Sequence, residues 1–337
     1  MASDNKTLIV FDTNKLRQVL GGSPSYGSFD FGDAFNKIKE FIESNKLGDV
    51  IDIGIPDISV QELVQQKVEQ YCQDCKEFRN IVSRLSQLPD TDFSGVIMPS
   101  QGFECKSYLQ PSIEDSFKDN DIKVMKLPEN SYADIFKKVI TRAVKRQPPF
   151  KNSNKSSDIG FKDVVLWETL LSYEISEYSK VLFITEDRVF HDRRCIEEFE
   201  EKKERTILVY QSAELAITEL EESYADIIEK NKFMEFTNKD YFRAYVHDEL
   251  SKRRRITIGG HEWTIKGWKV LNYLDSVEYS NEDNDKDEIA DYWVLITTKI
   301  ELNVSDKSVT KKIITGLHTY LDDAMGIRES EIEIAEE

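Results

Sequence analysis

Residues 7–14 read Thr7-Leu-Ile-Val-Phe-Asp-Thr-Asn14, and this stretch decides the fold of the first two thirds of the chain. The run up to Phe11 is short and mainly apolar, and it stops abruptly at the polar Asp12-Thr-Asn14. A short apolar run bounded by turn residues is typical of a strand that is buried on both faces. The stretch therefore predicts an inner strand of a parallel sheet, with Asp12 at its carboxyl end.

Strand and helix signals alternate in the 230 residues that begin with this strand. Apolar runs near Val50–Ile55, Lys180–Ile184 and Thr206–Tyr210 are predicted strands, and longer amphipathic stretches between them are predicted helices. Strands that alternate with helices pair in parallel. We therefore predict a three-layer α/β sandwich around a parallel sheet over residues 1–234.

Two of the predicted helices bear on function. Ser59-Val-Gln-Glu62 matches a capping box and predicts a helix start. Residues 131–147 predict a helix that Pro148-Pro149 ends, with basic residues on one face. The opposite, apolar face is expected to contain Ile135, Phe136, Val139, Ile140, Ala143 and Val144. Residues 89–130 carry mixed signals and are expected to be loop with one small helix.

The character of the sequence changes after residue 235. Gly259-Gly260 separates two short β-prone runs and predicts a hairpin. Residues 294–304 alternate apolar and polar side chains, which predicts a half-buried antiparallel strand. The acidic segment 278–291 is expected to be a loop between two long strands. We predict a small α+β domain with antiparallel strands over residues 235–337.

Composition excludes several classes of protein. No apolar stretch approaches the roughly 18 residues of a membrane span, and four cysteines in 337 residues do not form a disulfide framework. We therefore expect a cytoplasmic protein with no membrane partner. The net charge of −18 is unfavourable for binding nucleic acid, but residues 137–162 contain eight Lys and Arg against one Asp. This segment is the predicted phosphate-binding surface.

Acidic residues lie at positions where a parallel sheet gathers ligands. The carboxyl ends of parallel strands meet at one edge, so residues that are distant in sequence converge there. Asp12 and Asp187 end predicted strands, while Glu62 and Asp163 lie in the first turns of helices. Clustered carboxylates need a counter-charge to stay ionised, and oxygen ligands favour Mg²⁺ or Mn²⁺. Such a site suits hydrolysis of a phosphodiester.

Four local patterns together resemble a known family. Ile9-Val-Phe-Asp12-Thr-Asn14, Pro56-x5-Glu62-Leu63, Gly160-Phe-Lys-Asp163 and Phe183-Ile-Thr185-Glu-Asp187 are similar, in this order, to the motifs of PIN-domain nucleases. The resemblance covers about residues 5–210. It implies an enzyme that cleaves RNA, less often DNA, with one or two Mg²⁺ or Mn²⁺ ions. It also implies an enlarged bacterial branch of the family, since the interval from Glu62 to Asp163 is long and an additional domain follows.

The same resemblance assigns roles to individual residues. It implies that the catalytic metal ligands are Asp12, Glu62, Asp163 and Asp187, supported by Asn14 and Thr185. The residues expected to bind RNA are Lys138, Arg142, Lys145, Arg146 and Lys162. Resemblance to toxin and defence nucleases suggests growth arrest or phage restriction as the biological role. Homo-oligomerisation through the C-terminal domain and a regulatory protein partner are further expectations.

Each acidic residue also has a purely structural explanation. Asp12 could form a turn, Glu62 could close the capping box, Asp163 could interact with a helix dipole, and Asp187 could cap the next helix. A basic helix face is often only solvated surface. The alternatives to an endoribonuclease are therefore a catalytically silent PIN scaffold and a nuclease acting on DNA.

Overall fold

The computed structural model describes residues 6–89, 92–93, 95, 97, 100, 102–150, 160–258, 260–279, 290–304, 307–321 and 327–335. Cα proximity divides the chain into two compact units, Met1–Ala225 and Asp226–Glu337. The division into functional domains at residue 235 stays a prediction, because spatial separation alone does not show that either part folds independently. None of the described helices is long and apolar enough to cross a membrane.

The first unit contains seven strands and eight α-helices among its described residues. The strands are β1 (Lys6–Phe11), β2 (Val19–Leu20), β3 (Ser23–Pro24), β4 (Ile51–Pro56), β5 (Lys123–Met125), β6 (Tyr178–Ile184) and β7 (Thr206–Tyr210). The helices are α1 (Thr13–Leu16), α2 (Asp33–Ser44), α3 (Asp57–Leu85), α4 (Cys105–Asp119), α5 (Tyr132–Lys145), α6 (Phe161–Ser172), α7 (Arg193–Lys203) and α8 (Ala213–Ser223). Short 3₁₀ turns occupy Glu129–Ser131 and Arg188–His191.

Five of these strands form one parallel sheet in the order β5-β4-β1-β6-β7. The inner strand β1 is buried on both faces. Leu8 and Val10 join the core that includes Trp167 of α6, whereas Phe11 packs on Phe35 of α2 at a ring-centroid distance of 5.7 Å. Helices therefore cover both faces of the sheet, and the predicted three-layer sandwich is confirmed.

The second unit consists of two helices and an antiparallel sheet. Its elements are α9 (Ala225–Thr237), which starts at the last residue of the first unit, α10 (Asp240–Lys252), β8 (Arg255–Ile258), β9 (His261–Tyr279), β10 (Ala290–Val304), β11 (Lys307–Leu321) and β12 (Ile327–Ala335). The strand order is β12-β11-β10-β9-β8. The antiparallel α+β prediction is confirmed, and most of the predicted acidic loop, residues 280–289, lies outside the described residues.

Three local predictions differ from the structure. The expected loop at 89–130 contains the 15-residue helix α4 and the edge strand β5. Helix α3 begins at Asp57, not at the predicted capping box, and the Ser59 hydroxyl is buried without a hydrogen-bond partner. The capping-box prediction is wrong because Pro56 ends β4 and the helix begins directly after it, so Ser59 already lies inside the first turn.

The predicted apolar face of α5 is also wrong in part. Ile135 and Val139 are buried, but Phe136, Ile140 and Val144 are 58, 47 and 78 % exposed. The buried face turns toward Arg142 instead, whose guanidinium is ion-paired with a carboxylate of α6. A buried ion pair of this kind cannot be inferred from hydrophobic periodicity.

Candidate metal centre

Parallel register brings Asp12 and Thr185 to the same edge of the sheet. Phe11, the last residue of β1, pairs with Ile184, the last residue of β6. The next backbone amide, that of Asp12, donates to the Ile184 carbonyl at 3.0 Å. Asp12 and Thr185 therefore follow directly from the aligned ends of two neighbouring strands.

The Asp12 carboxylate is held by three hydrogen bonds. Oδ1 accepts from the Thr13 amide at 2.7 Å, and Oδ2 accepts from Asn14 Nδ2 at 2.8 Å and from Thr185 Oγ1 at 2.7 Å. Only 9 % of Asp12 is exposed, and Thr185 is fully buried. Asn14 and Thr185 thus orient Asp12, as expected of supporting residues.

Glu62 is joined to the same group of residues from α3. Its Oε2 accepts from Thr13 Oγ1 at 3.0 Å, and its Oε1 forms an ion pair of 2.8 Å with Lys162 Nζ. Lys162 belongs to the first turn of α6. The structure therefore brings Glu62, Lys162 and the Asp12 loop together, although they are up to 150 residues apart.

Asp187 lies just beyond β6 and caps the following 3₁₀ turn. Its amide donates to Thr185 Oγ1 at 3.0 Å, and its Oδ1 accepts from the Val189 amide at 3.4 Å. The capping explanation for Asp187 therefore applies, but it does not exclude a second role. Thr185 Oγ1 bonds to both Asp12 and the Asp187 amide, so the two acidic residues are linked through one side chain.

Asp163 lies in the first turn of α6, next to Lys162. Gly160 precedes this helix with φ of 107°, a left-handed conformation that residues with a Cβ rarely adopt. Glycine is therefore favoured at the position that precedes α6. Asp163 is half-buried. Its neighbour Lys162, in the same turn, forms the ion pair with Glu62.

The pKa of Asp12 reflects burial first and neighbouring like charges second. Burial raises the pKa of the Asp12 carboxyl above its ordinary value of 3.8, and the neighbouring charges of Asp187 and Glu62 raise the pKa further. Hydrogen bonds from Thr185 and Thr13 oppose this rise without cancelling it. A bound cation would stabilise the ionised form of all three carboxyls.

The donor set fits a hard divalent cation, since carboxylate oxygens are the ligands that Mg²⁺ and Mn²⁺ prefer. Across the residues that the structure describes, however, no three His, Cys, Asp or Glu side chains are arranged so that they could hold a metal ion. Both Glu62 oxygens are engaged by Lys162 and Thr13. Coordination by Glu62 would thus require its pairing with Lys162 to open.

The residues predicted to bind RNA differ in their surroundings. Lys138, Lys145 and Arg146 are exposed, and Lys162 is 61 % exposed while it pairs with Glu62. Arg142 is only 8 % exposed. It donates from Nε to Glu168 at 2.9 Å and from Nη1 to the Pro148 carbonyl at 2.7 Å, and its Nη2 binds Glu198.

The prediction that Arg142 contacts RNA is therefore set aside. Each of its three guanidinium nitrogens already donates to a protein acceptor, so its function is to join α5, α6 and α7. Sequence spacing placed it on the basic face of α5. Its carboxylate partners, Glu168 of α6 and Glu198 of α7, are on other helices, so the periodicity of α5 does not reveal them.

A groove beside Glu62 contains basic residues that sequence reasoning missed. It has a volume of about 620 Å³, and Glu62 and Lys162 are among its lining residues, together with Lys106 of α4 and Lys126, which follows β5. The lining also includes Asp57 and Glu114, so its three lysines are balanced by three carboxylates until metal ions neutralise the acidic side chains. Sequence patterns carried no signal for Lys106 and Lys126, because this region had been assigned mostly to loop.

Comparison with known proteins bears directly on this arrangement. The family model for the PIN domain matches residues 9–190, more than half of the chain, and this range includes all four acidic residues. Comparisons with curated proteins and with solved structures give no significant match. The parallel sheet, the carboxylates at its strand ends and this match agree, and the chain belongs to the PIN-domain family.

Proposed function

We propose that this protein is a metal-dependent endoribonuclease that hydrolyses phosphodiester bonds of RNA. The PIN domain is a nuclease-type fold. The observation that carries the proposal is the Asp12 carboxylate, which is buried at the end of the central strand β1 beside the charges of Asp187 and Glu62. A structural turn does not need a buried carboxyl beside two further acidic side chains, with its pKa raised by burial and by their charges. A cation-binding site does.

In this proposal, Asp12, Glu62, Asp163 and Asp187 hold one or two Mg²⁺ or Mn²⁺ ions. Such an ion lowers the pKa of a bound water and neutralises charge on the leaving oxygen. Thr185 and Asn14 fix the orientation of Asp12 through their hydrogen bonds. Metal-supporting hydrogen bonds of this kind typically affect metal affinity or activity 10–100-fold.

Substrate binding is assigned to lysines near the carboxylates. Lys106, Lys126 and Lys162 line the groove beside Glu62, and they are placed to neutralise phosphates of a strand that passes the metal centre. Lys162 would then exchange Glu62 for a phosphate when metal and RNA bind. Lys138, Lys145 and Arg146 on or next to α5 are further candidates, since their side chains are exposed.

The direct test is cleavage of a cellular RNA pool by the purified chain with Mn²⁺, with a single-stranded DNA of matched length alongside. We expect RNA degradation that EDTA abolishes and that Asp12→Asn reduces at least 100-fold, on the order of the contribution of a catalytic metal ligand. The control is Asp33→Asn, because Asp33 lies on the exposed first turn of α2. Cleavage that survives both EDTA and Asp12→Asn would refute the proposal, and cleavage of DNA alone would replace RNA as the substrate.

A catalytically silent scaffold is the second candidate, and one observation favours it. Lys162 Nζ pairs with Glu62 Oε1 at 2.8 Å, so this chain supplies its own counter-charge for Glu62. A protein that had lost metal binding would benefit from such a pair. Lys162→Ala separates the two candidates, since an enzyme should keep Mn²⁺-dependent cleavage with weaker RNA binding, whereas a scaffold has no cleavage to keep.

A further inference from the structure

A second polar cavity lies between α5, α6 and α7 in the first unit. Its volume is about 460 Å³, within the range of small-molecule sites. Its charged lining residues are Lys138, Arg142, Glu168, Arg194, Glu198 and Lys202. It shares no lining residue with the groove beside Glu62. Lys138 is also a candidate RNA contact of the proposed nuclease, and the other lining residues have no part in that proposal.

One carboxylate oxygen in this cavity has no hydrogen-bond partner. The side chain of Glu168 is 1 % exposed, and its Oε1 accepts from Arg142. Its Oε2 is buried and makes no hydrogen bond with any residue that the structure describes, and Lys138 Nζ is 3.9 Å away from it. Buried polar atoms are nearly always hydrogen-bonded. This oxygen can therefore accept a hydrogen bond from a ligand in the cavity.

The cavity also has an excess of positive charge. Four cationic side chains line it against two carboxylates, and both carboxylates already bind Arg142. Arg194 is paired with Asp192, which lies outside the lining, so one net positive charge is left. Within the described part of the chain, Lys202 makes no hydrogen bond or ion pair. Partial burial lowers the pKa of Lys202, and the positive charge of Lys138 lowers it further. An anion between the two lysines would relieve this repulsion.

A ligand that satisfies both features must combine an anionic group with an N–H donor. The net positive charge and the two lysines of the lining fit a phosphate group, since lysine ammonium groups are common phosphate ligands. The free Glu168 oxygen fits an amino group. Since Lys138 Nζ lies only 3.9 Å from that oxygen, both parts of the ligand can be contacted at once.

We propose that this cavity binds a phosphate monoester that carries an amino group, with the phosphate at Lys138 and Lys202 and the amino group donating to Oε2 of Glu168. Two sources supply this chemistry, a nucleotide whose base has an amino group and an aminoalkyl phosphate. The buried Arg142 holds Glu168 in place and acts only as a positioning residue.

The test is titration of the full chain by calorimetry in EDTA, so that the proposed metal centre does not contribute. The probes are AMP against purine riboside 5′-monophosphate, and phosphoethanolamine against ethyl phosphate, with inorganic phosphate as a reference. We expect saturable binding of at least one amino-bearing probe. Its affinity should exceed that of its amino-free counterpart about tenfold, since hydrogen bonds to charged groups contribute on this order. The pair that shows this preference identifies the source.

Variants then locate the binding. Lys138→Ala and Lys202→Ala should each weaken binding about tenfold, whereas Lys137→Ala, on the same helix but 76 % exposed and paired with Asp134, should leave it unchanged. Glu168→Gln should remove the preference for the amino group. The comparison of probes uses the unaltered protein, so it remains decisive if Glu168→Gln fails to fold. Absence of saturable binding, equal affinity for amino-free probes, or insensitivity to both lysine variants would overturn the proposal.

Discussion

At the scale of single residues, Asp12 is a carboxylate whose burial is expected to lower the stability of the fold. Its carboxylate is buried beside two other acidic residues, and its pKa is raised by burial first and by those charges second. A raised carboxyl pKa means that the folded state binds the proton more tightly than the unfolded state. The ionised form therefore destabilises the fold above the folded-state pKa, and this effect fades as the pH falls through that value.

Replacing this charge should make the metal-free protein more stable. In EDTA at pH 7 we expect Asp12→Asn to raise the Tm by about 2–4 °C, which corresponds to ~1 kcal/mol for a unit of this size. Lowering the pH toward 4 should shrink the difference, because the native Asp12 then takes up its proton. Thermal unfolding of both proteins across this pH range checks the prediction. A destabilised Asp12→Asn protein at pH 7 would show that the hydrogen bonds of Asp12 outweigh the crowding of its charge.

Arg142 illustrates the opposite case, a basic residue that serves the fold. Its guanidinium bonds to Glu168, Glu198 and the Pro148 carbonyl, and removal would leave a fully buried carboxylate unpaired. We expect Arg142→Ala to lower the free energy of unfolding by about 3–5 kcal/mol, as is usual for a broken buried ion pair. Urea denaturation measures this. Lys137→Ala, one turn away and exposed, should change stability by less than about 0.5 kcal/mol. Equal effects of the two substitutions would contradict the assigned role.

At the scale of elements, strands were predicted more accurately than helix starts and faces. The apolar run at Thr7–Phe11 is enough to identify β1, because a strand buried on both faces needs continuous hydrophobicity. The predicted start of α3 is wrong because Ser59 and Glu62 match a capping box by sequence, whereas the helix already begins after Pro56. Buried Arg142 and exposed Phe136 were misassigned because the packing partner of α5 is not encoded in its own periodicity.

The corrected start of α3 has a measurable consequence. Because the Ser59 hydroxyl is buried without a partner, Ser59→Ala should change the free energy of unfolding by less than about 0.5 kcal/mol, or increase it. Ser212 provides the matched control, since its Oγ accepts from the Leu215 amide as the N-cap of α8. Ser212→Ala should cost about 1 kcal/mol, the usual loss of a capping hydrogen bond. If Ser59→Ala lowered the free energy of unfolding by a comparable amount, Ser59 would act as a helix cap after all.

At the scale of the whole molecule, the candidate site is a product of topology. Parallel pairing of β1 with β6 puts Asp12 and Thr185 side by side, and Lys162 of α6 reaches Glu62 of α3. Strand ends and helix starts, together with the family resemblance, are enough to predict the four acidic residues and their supports, and their role in metal binding stays a prediction. Sequence patterns do not predict the Lys162–Glu62 pair, nor that Lys106 of α4 and Lys126 after β5 lie near it. These contacts depend on how the layers pack.

The central claim is that these carboxylates form a divalent-metal site, and equilibrium binding of Mn²⁺, followed by the electron paramagnetic resonance signal of the free ion, tests it most directly. We expect saturable binding to the intact chain, at least tenfold weaker binding to Asp12→Asn and Asp187→Asn, and unchanged binding to Asp33→Asn. Absence of saturable binding to the intact chain, or equal binding by all four proteins, would contradict it.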